Sequence, residues 1–356
     1  MAETEKDENG FEGLTCPTPI SNYERVLLGH GGGGRLTNDL VRQVFVPLFD
    51  NKYLAAMDDQ AVIEVNGARL AFTTDSFVVS PLFFPGGNVG SLAINGTIND
   101  LAVCGARPLY LSAALIMEEG LRMEELLRIG ESMKGACEEA GVLLVTGDTK
   151  VVERGKGDGI FITTTGVGLV PDGVNVSSRN AKPGDKIILS GELGIHGIVI
   201  MSVREGIQFE TQLESDSAPL HTLVEAILSV TRDVHCMRDP TRGGLASALN
   251  ELASSSKVGM KIQEVDIPIP EEVEGACEIL GLDPLVVANE GKLVAMVPPS
   301  TADEVVTKMR NHPLGREARV IGEVVEDHPG TVVMETSIGG LQIVQMPSGE
   351  QLPRIC

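Results

Sequence analysis

Gly141-Val142-Leu143-Leu144-Val145-Thr146-Gly147-Asp148-Thr149-Lys150 is the stretch that decides how this chain folds. Val142–Val145 is an apolar run of strand length. Upstream, Leu121–Ala140 sets Met123, Leu126, Leu127, Met133 and Cys137 at helical spacing, so a helix with one apolar face is expected there. Cys137 on that face reads as a small core residue. Downstream, Thr146-Gly147-Asp148-Thr149-Lys150 reads as a polar loop at the carboxyl end of a strand, a usual place for ligands. Helix, strand and polar loop in succession is the grammar of α/β and α+β proteins.

The same grammar extends in both directions. Strands are expected at Tyr53–Met57, Leu70–Thr74, Leu109–Ile116, Leu143–Thr146 and Ile160–Leu169, and helices at Leu36–Phe49 and Val89–Cys104. The turn cluster Asn180-Ala181-Lys182-Pro183-Gly184-Asp185 marks a boundary. Beyond it, strands are expected at Lys186–Ser190, Gly259–Ile262, Lys292–Val297 and Val320–Val325. Helices are expected near Ile195–Arg204, Leu220–Ser229, Gly244–Ser254 and Thr301–Arg310, the last with Ser300 and Asp303 as a capping box. The predicted organisation is a disordered leader (1–24), an α/β domain (25–175), an α+β domain (176–330) and a terminal piece (331–356). That piece holds the runs Thr331–Glu335 and Leu341–Met346, then a Pro- and Gly-containing tail expected to be extended and mobile. Its ten residues could span roughly 30 Å.

Composition narrows the function. The chain has 356 residues, 42% hydrophobic and 22% charged, normal for a globular protein large enough to bury its own cores. Aromatics are 3% and Trp is missing, so the cores must be aliphatic. A net charge of −22 argues against nucleic acid or anionic membrane as partners. Part of that charge sits in the leader, Glu3 to Glu12. An acidic chain that handles phosphates needs a cation between them, and Mg²⁺ is the expected one. Cys16, Cys104, Cys137, Cys236, Cys277 and Cys356 form no CxxC pair, there is no secretory segment, and no apolar run reaches membrane-spanning length. Free thiols in a reducing cytoplasm are expected.

Five segments of the first domain carry chemistry. His30-Gly31-Gly32-Gly33-Gly34 precedes a helix, where exposed N–H groups and the helix dipole suit an anion. Asp58-Asp59 and Thr74-Asp75 put carboxylates in strand-like runs that disfavour them. Asn95 and Asn99 are one helical turn apart, with Asp100 beside them, a polar stripe expected to face a wet cleft. Gly147-Asp148-Thr149-Lys150 is the fifth. Each alone also reads as a hinge or a turn. Together they suit Mg²⁺ bridging to nucleotide phosphates. The second domain adds Arg238-Asp239-Pro240-Thr241-Arg242-Gly243-Gly244 before a helix, and Asn289-Glu290-Gly291-Lys292.

This set resembles the ATP-binding superfamily of aminoimidazole ribonucleotide synthetase, selenophosphate synthetase and thiamine-monophosphate kinase. Pro81–Gly87, Val145–Val152 and the ending Pro353-Arg354-Ile355-Cys356 resemble, within it, the carbamoyl dehydratases of hydrogenase maturation. The resemblance covers residues 25–356. It implies a two-domain PurM-like fold whose N-terminal four-stranded sheet forms a β-barrel across a homodimer, with ATP in the cleft and a flexible C-terminal tail. It implies that a carbamoyltransferase loads Cys356, and that an iron-carrying scaffold complex accepts the cyanide for [NiFe]-hydrogenase.

By the same resemblance, Cys356 is the carrier, with Lys150 and Glu290 as candidates for proton transfer. His30, Gly31, Gly32, Gly33, Gly34, Asp75, Asn99, Thr149 and Arg242 would bind ATP. Asp58, Asp59, Asp75, Asp100, Asp148 and Asp239 would hold Mg²⁺. A thiocarbamate becomes a thiocyanate by losing water, and phosphorylating its carbonyl oxygen makes a good leaving group. Arg354 would partly offset the terminal carboxylate beside the thiol. A kinase or ligase acting on a free small substrate, or a non-catalytic nucleotide-binding scaffold, are the alternatives.

Overall fold

The computed structural model describes residues 23–207, 213–349, 352 and 354–356. The expected leader and Cys16 lie outside them. In the first domain, α1 (Arg35–Leu40) continues through a π-helical turn (Val41–Phe45) into α2 (Val46–Phe49). The helix expected over Leu36–Phe49 is therefore interrupted. Pro47 removes one N–H donor and crowds the preceding turn, which the wider turn accommodates. Next come β1 (Ala61–Val65), β2 (Ala68–Phe77), a small hairpin of β3 (Phe83–Phe84) and β4 (Gly87–Asn88), α3 (Val89–Val103), β5 (Arg107–Glu118), α4 (Met123–Ala140), β6 (Leu143–Val152) and β7 (Ile160–Leu169).

Among the described residues the first sheet has five strands, one more than the resemblance implies, in the order β1-β2-β7-β5-β6; only β5 and β6 run parallel. Tyr53–Met57 is not a strand. Asn51 Oδ1 accepts from the Tyr53 and Leu54 N–H groups at 3.1 and 3.0 Å and turns the chain into a 3₁₀ turn at Leu54–Ala56. Gly147–Lys150 is not a loop. β6 stays paired with β5 from Leu143 to Val152, and Gly147 is required because a Cβ there would lie 2.3 Å from the Ala113 carbonyl oxygen.

The second domain holds β8 (Lys186–Leu189), α5 (Ile195–Glu205), α6 (His221–Val230), β9 (Cys236–Arg238), α7 (Gly244–Ser256), β10 (Gly259–Gln263), α8 (Glu271–Leu280), β11 (Val294–Val297), α9 (Pro299–Arg310), β12 (Arg319–Val325), β13 (Val332–Glu335) and β14 (Leu341–Val344). Its sheet runs β14-β13-β10-β12-β8-β11-β9. The two terminal strands thus extend the second sheet. The capping box at Ser300 is not formed. Proline at the first helical position starts α9 at Pro299, with no side-chain cap.

α3 is apolar nearly all round and buried, packing on β2, β7 and α4 within its own domain and on α6 of the other. One core, built from α3, α4, α5 and α8, also takes in Leu352, Ile355 and Cys356. The end of the chain is therefore docked between the two domains. Among the described residues no helix is long and apolar enough to cross a membrane.

Candidate active site

The glycine loop of the first domain lies against the start of α7 in the second. Gly33 has φ +72°, and a Cβ there would sit 2.6 Å from the Arg242 Cβ, so only glycine allows this approach. Arg242 donates to the Gly31 carbonyl at 2.9 Å and reaches Asp75 at 3.5 Å. Two cavities open beside this contact. One, of about 480 Å³, is lined by Asn38, Asn51, Tyr53, Phe72, Thr73 and Arg238. The other, of about 240 Å³, is lined by Gly31, Gly33, Asp59, Asp239, Arg242 and Ser247.

Asp59, Asp75, Asp100 and Asp239 come together here. Burial raises the Asp100 carboxyl well above its usual range, and Asp239, Asp59 and Asp75 push it further. Burial, then Asp59, pushes Asp239 up to about 7. Thr73 Oγ1 lies 2.8 Å from an Asp100 carboxyl oxygen and 2.7 Å from the Asp59 carbonyl oxygen, which fixes this side of the cluster. Arg238 neutralises part of it, pairing with Asp59 at 2.6 Å and Glu251 at 3.0 Å.

Among the described residues no three acidic, imidazole or thiol groups converge closely enough to ligate an ion unaided. Such crowded oxygens nevertheless fit a cation whose shell is completed by phosphate and water, which is how Mg²⁺ is commonly held.

Several predicted residues do other work. Both Asp58 oxygens accept from the 177–178 turn, at 3.0 Å from Ser177 Oγ and 2.9 Å from the Ser178 N–H, so Asp58 ties the interdomain linker. Asn99 does not face a wet cleft. It is 1% exposed, and it donates to the Ala218 and Glu290 carbonyls at 3.1 Å and accepts from the Leu220 N–H at 2.8 Å. His30 caps its own turn, accepting from the Leu27 N–H at 2.9 Å. Asp148, Thr149 and Lys150 stand exposed on the edge strand β6, where a hydrogen bond from Lys150 holds Asp148 below its usual range. In sheet register Asp148 lies opposite Ala114, then Thr163, then Ser76. Three strand spacings, roughly 14 Å, thus separate it from the Asp75 side of the site.

The terminal cysteine does reach the site. Cys356 is 6% exposed. Burial raises its thiol well above the usual range, Arg242 works the other way, and the adjacent Glu290 carboxyl adds to the rise. The cation favouring the thiolate is therefore Arg242. Arg354 instead pairs with Asp158 and donates to the Val78 carbonyl at 3.1 Å. Glu290 is 2% exposed, its Oε1 has no hydrogen-bond partner, and burial followed by Asp239 and Asp216 raises its carboxyl well above the usual range. Sequence reasoning assigned no role to Arg238 or Lys292 and passed over Glu251 and Asp216, the partner of Lys292 at 2.9 Å under Glu290. Arg238 had a signal, since it opens the 238–244 motif; Asp216 had none.

Models of AIR synthase related proteins match both halves of the chain, the N-terminal domain over residues 57–170 and the C-terminal domain over 182–335. Carbamoyl dehydratase HypE of Cupriavidus necator is 57% identical over 333 residues, covering 93% of this chain and 95% of that protein. The chain belongs to the carbamoyl dehydratase HypE family. Solved HypE structures agree with this. HypE in a HypE–HypF complex has a TM-score of 0.82 at 47% identity, covering 86% of this chain and 99% of that one. HypE in complex with ATP has a TM-score of 0.79 at 46% identity, covering 93% and 100%. Within this HypE fold the terminal cysteine and the carboxylate cluster meet at one cleft.

Proposed function

We propose that this chain uses ATP to dehydrate a carbamoyl group carried on Cys356, giving the thiocyanate that supplies the cyanide ligand of the [NiFe]-hydrogenase iron centre. The observation that carries this is the seat of the last residue, buried beside Glu290 and in the field of Arg242 and Asp75. The near full-length likeness to HypE and the ATP complex of a relative support it.

ATP supplies the phosphoryl group that turns the thiocarbamate oxygen into a leaving group. The larger cavity, with Tyr53 and Phe72, suits a nucleobase, and the smaller one, under Gly31–Gly34 and Arg242, suits phosphates. Asp59, Asp75, Asp100 and Asp239 would hold Mg²⁺. The nitrogen must shed both protons. We assign them to Glu290, whose carboxyl adjoins the thiol, has a buried oxygen without a hydrogen-bond partner, and is raised above its usual range by burial.

Lys150, Thr149 and Asp148 complete a site only from a second copy. Leu143, Leu144, Val145 and Val151 leave β6 with exposed apolar side chains, which a homodimer across this sheet would cover. HypF is the expected loading partner, as the complex of a relative suggests, and an iron-carrying scaffold the acceptor. The described cysteines are all free, in keeping with a cytoplasmic site of action.

Intact mass spectrometry tests this. With carbamoyl donor, loading partner and ATP, the parent should gain a carbamoyl group and then lose the mass of one water. Cys356→Ala should do neither while still binding ATP. Loading that persists in Cys356→Ala would remove the carrier role, and turnover by a chain lacking residues 353–356 would favour a free small substrate.

A further inference from the structure

The last residues dock on the backbone that follows β2, with Arg354 in the left-handed region at φ +56°. The Val78 N–H donates to the Cys356 carbonyl at 3.2 Å, and the Ser80 N–H donates to the Arg354 carbonyl at 3.1 Å. The Ile355 carbonyl between them faces the second domain. There it meets His196, near the start of α5, whose Nε2 lies 2.9 Å from that oxygen. His196 is fully buried and edge-on to Phe84. Its Nδ1 lies 2.7 Å from Ser215 Oγ, which accepts from the Ser217 N–H at 3.1 Å.

These contacts fix the tautomer. A carbonyl can only accept, so Nε2 carries the hydrogen. With Ser215 Oγ already accepting from Ser217, its hydroxyl hydrogen goes to Nδ1. Burial favours this neutral imidazole. The same serine is anchored by its N–H to the Pro85 carbonyl at 2.9 Å, and Asp216 next to it receives the Glu290 N–H at 3.2 Å. One short segment, 215–217, thus orients both the imidazole that grips the tail and the backbone of the proposed base.

We propose that His196 is a positioning residue, whose Nε2–H holds the Ile355 carbonyl and so seats the Cys356 sulfur against Glu290. Its importance for turnover rests on the carrier role of Cys356; the grip itself does not. Release of the grip frees the thiol to leave the cleft, where a loading partner can reach it. Loss of His196 should therefore slow dehydration without slowing loading, a split that a general folding defect would not give.

The experiment measures alkylation of Cys356 by iodoacetamide in the full-length protein with ATP present, read by peptide mapping. His196→Gln keeps an amide N–H near the Nε2 position. His196→Asn reaches only the Nδ1 position, and His196→Phe has no donor. Loss of one hydrogen bond to a buried carbonyl should raise alkylation about five- to tenfold in the Asn and Phe variants, with Gln close to the parent. Dehydration of preloaded protein should fall by a similar factor in the same two variants, while loading holds.

Should the Phe variant not fold, the Gln–Asn comparison decides alone. Equal alkylation in the parent, Gln and Asn proteins, or equal acceleration in Gln and Asn, overturns the grip. Faster alkylation in Asn with unchanged dehydration sustains the grip and overturns its part in turnover, whereas a parent that gains no carbamoyl group on Cys356 overturns the carrier reading.

Discussion

Glu290→Gln should separate catalysis from stability in opposite directions. The substitution keeps the shape of the side chain and leaves the backbone contacts of residue 290 intact: its N–H to Asp216 and its carbonyl to Asn99. What it removes is a buried carboxylate whose Oε1 has no partner and whose pKa is raised, first by burial and then by Asp239, Asp216 and Asp75.

A positioned base contributes about 10²- to 10⁴-fold, which is about 2.7–5.4 kcal/mol of barrier. Dehydration of preloaded protein under single-turnover conditions should slow by that range, while loading of Cys356 and ATP binding hold. The stability sign is the reverse. A carboxyl with a raised folded-state pKa binds its proton more tightly when folded than when unfolded. Its ionisation therefore lowers stability progressively as pH climbs from the unfolded pKa through the folded one. Glutamine escapes that loss. The variant should be at least as stable as the parent at pH 8, and the difference should vanish below about pH 4. Urea unfolding at several pH values and mass-resolved turnover measure the two halves. A parental dehydration rate in Glu290→Gln would refute the assignment of the base, and a variant less stable than the parent at pH 8 would refute the electrostatic account of the site.

Mixing should locate Lys150. If a homodimer brings it to the partner's cleft, Lys150→Ala and Glu290→Gln are each inactive alone, but equal co-refolding restores about a quarter of parental turnover through mixed dimers with one complete site; no recovery means Lys150 acts within its own chain or not at all. Asp216→Asn strands the Lys292 ammonium, whose side chain is 13% exposed, and should cost about 3–5 kcal/mol, read as a lowered Tm. Burial alone would raise the Asp216 carboxyl, but the Lys292 ammonium, by charge and hydrogen bond, brings it below its ordinary value. Its stabilisation is therefore present at neutral pH and is lost as pH falls below the unfolded carboxylate range, where parent and variant should converge.

Much of the fold could be read from periodicity, because long apolar patterns leave few alternatives. Met123–Ala140 repeats its apolar residues at helical spacing, Val89–Val103 is a long and mostly apolar run, and Ile160–Leu169 is rich in apolar and β-branched residues, its burial alternating only once it is paired. Short elements escaped where a local hydrogen bond or a proline outweighed the pattern, as at Asn51, Pro47 and Pro299. β1 and β9 are too short to announce themselves and exist because neighbouring strands offer them an edge.

The chemistry divides in the same way. Sequence alone determined which groups are available: a terminal cysteine, a run of glycines before a helix, and acidic residues where strands and helices disfavour them. Residue type carries that information, because a carboxylate or a thiol brings its reactivity wherever it lands. Only the tertiary structure decided which of them meet. Asp58 and Asn99 looked like ligands but tie the domains together, Asp148 and Lys150 stand three strands from the acidic cluster, and His196 had no pattern to mark it. Proximity depends on how two sheets and a shared helical core pack, and contacts between residues as distant as 196 and 355 leave no trace in local spacing.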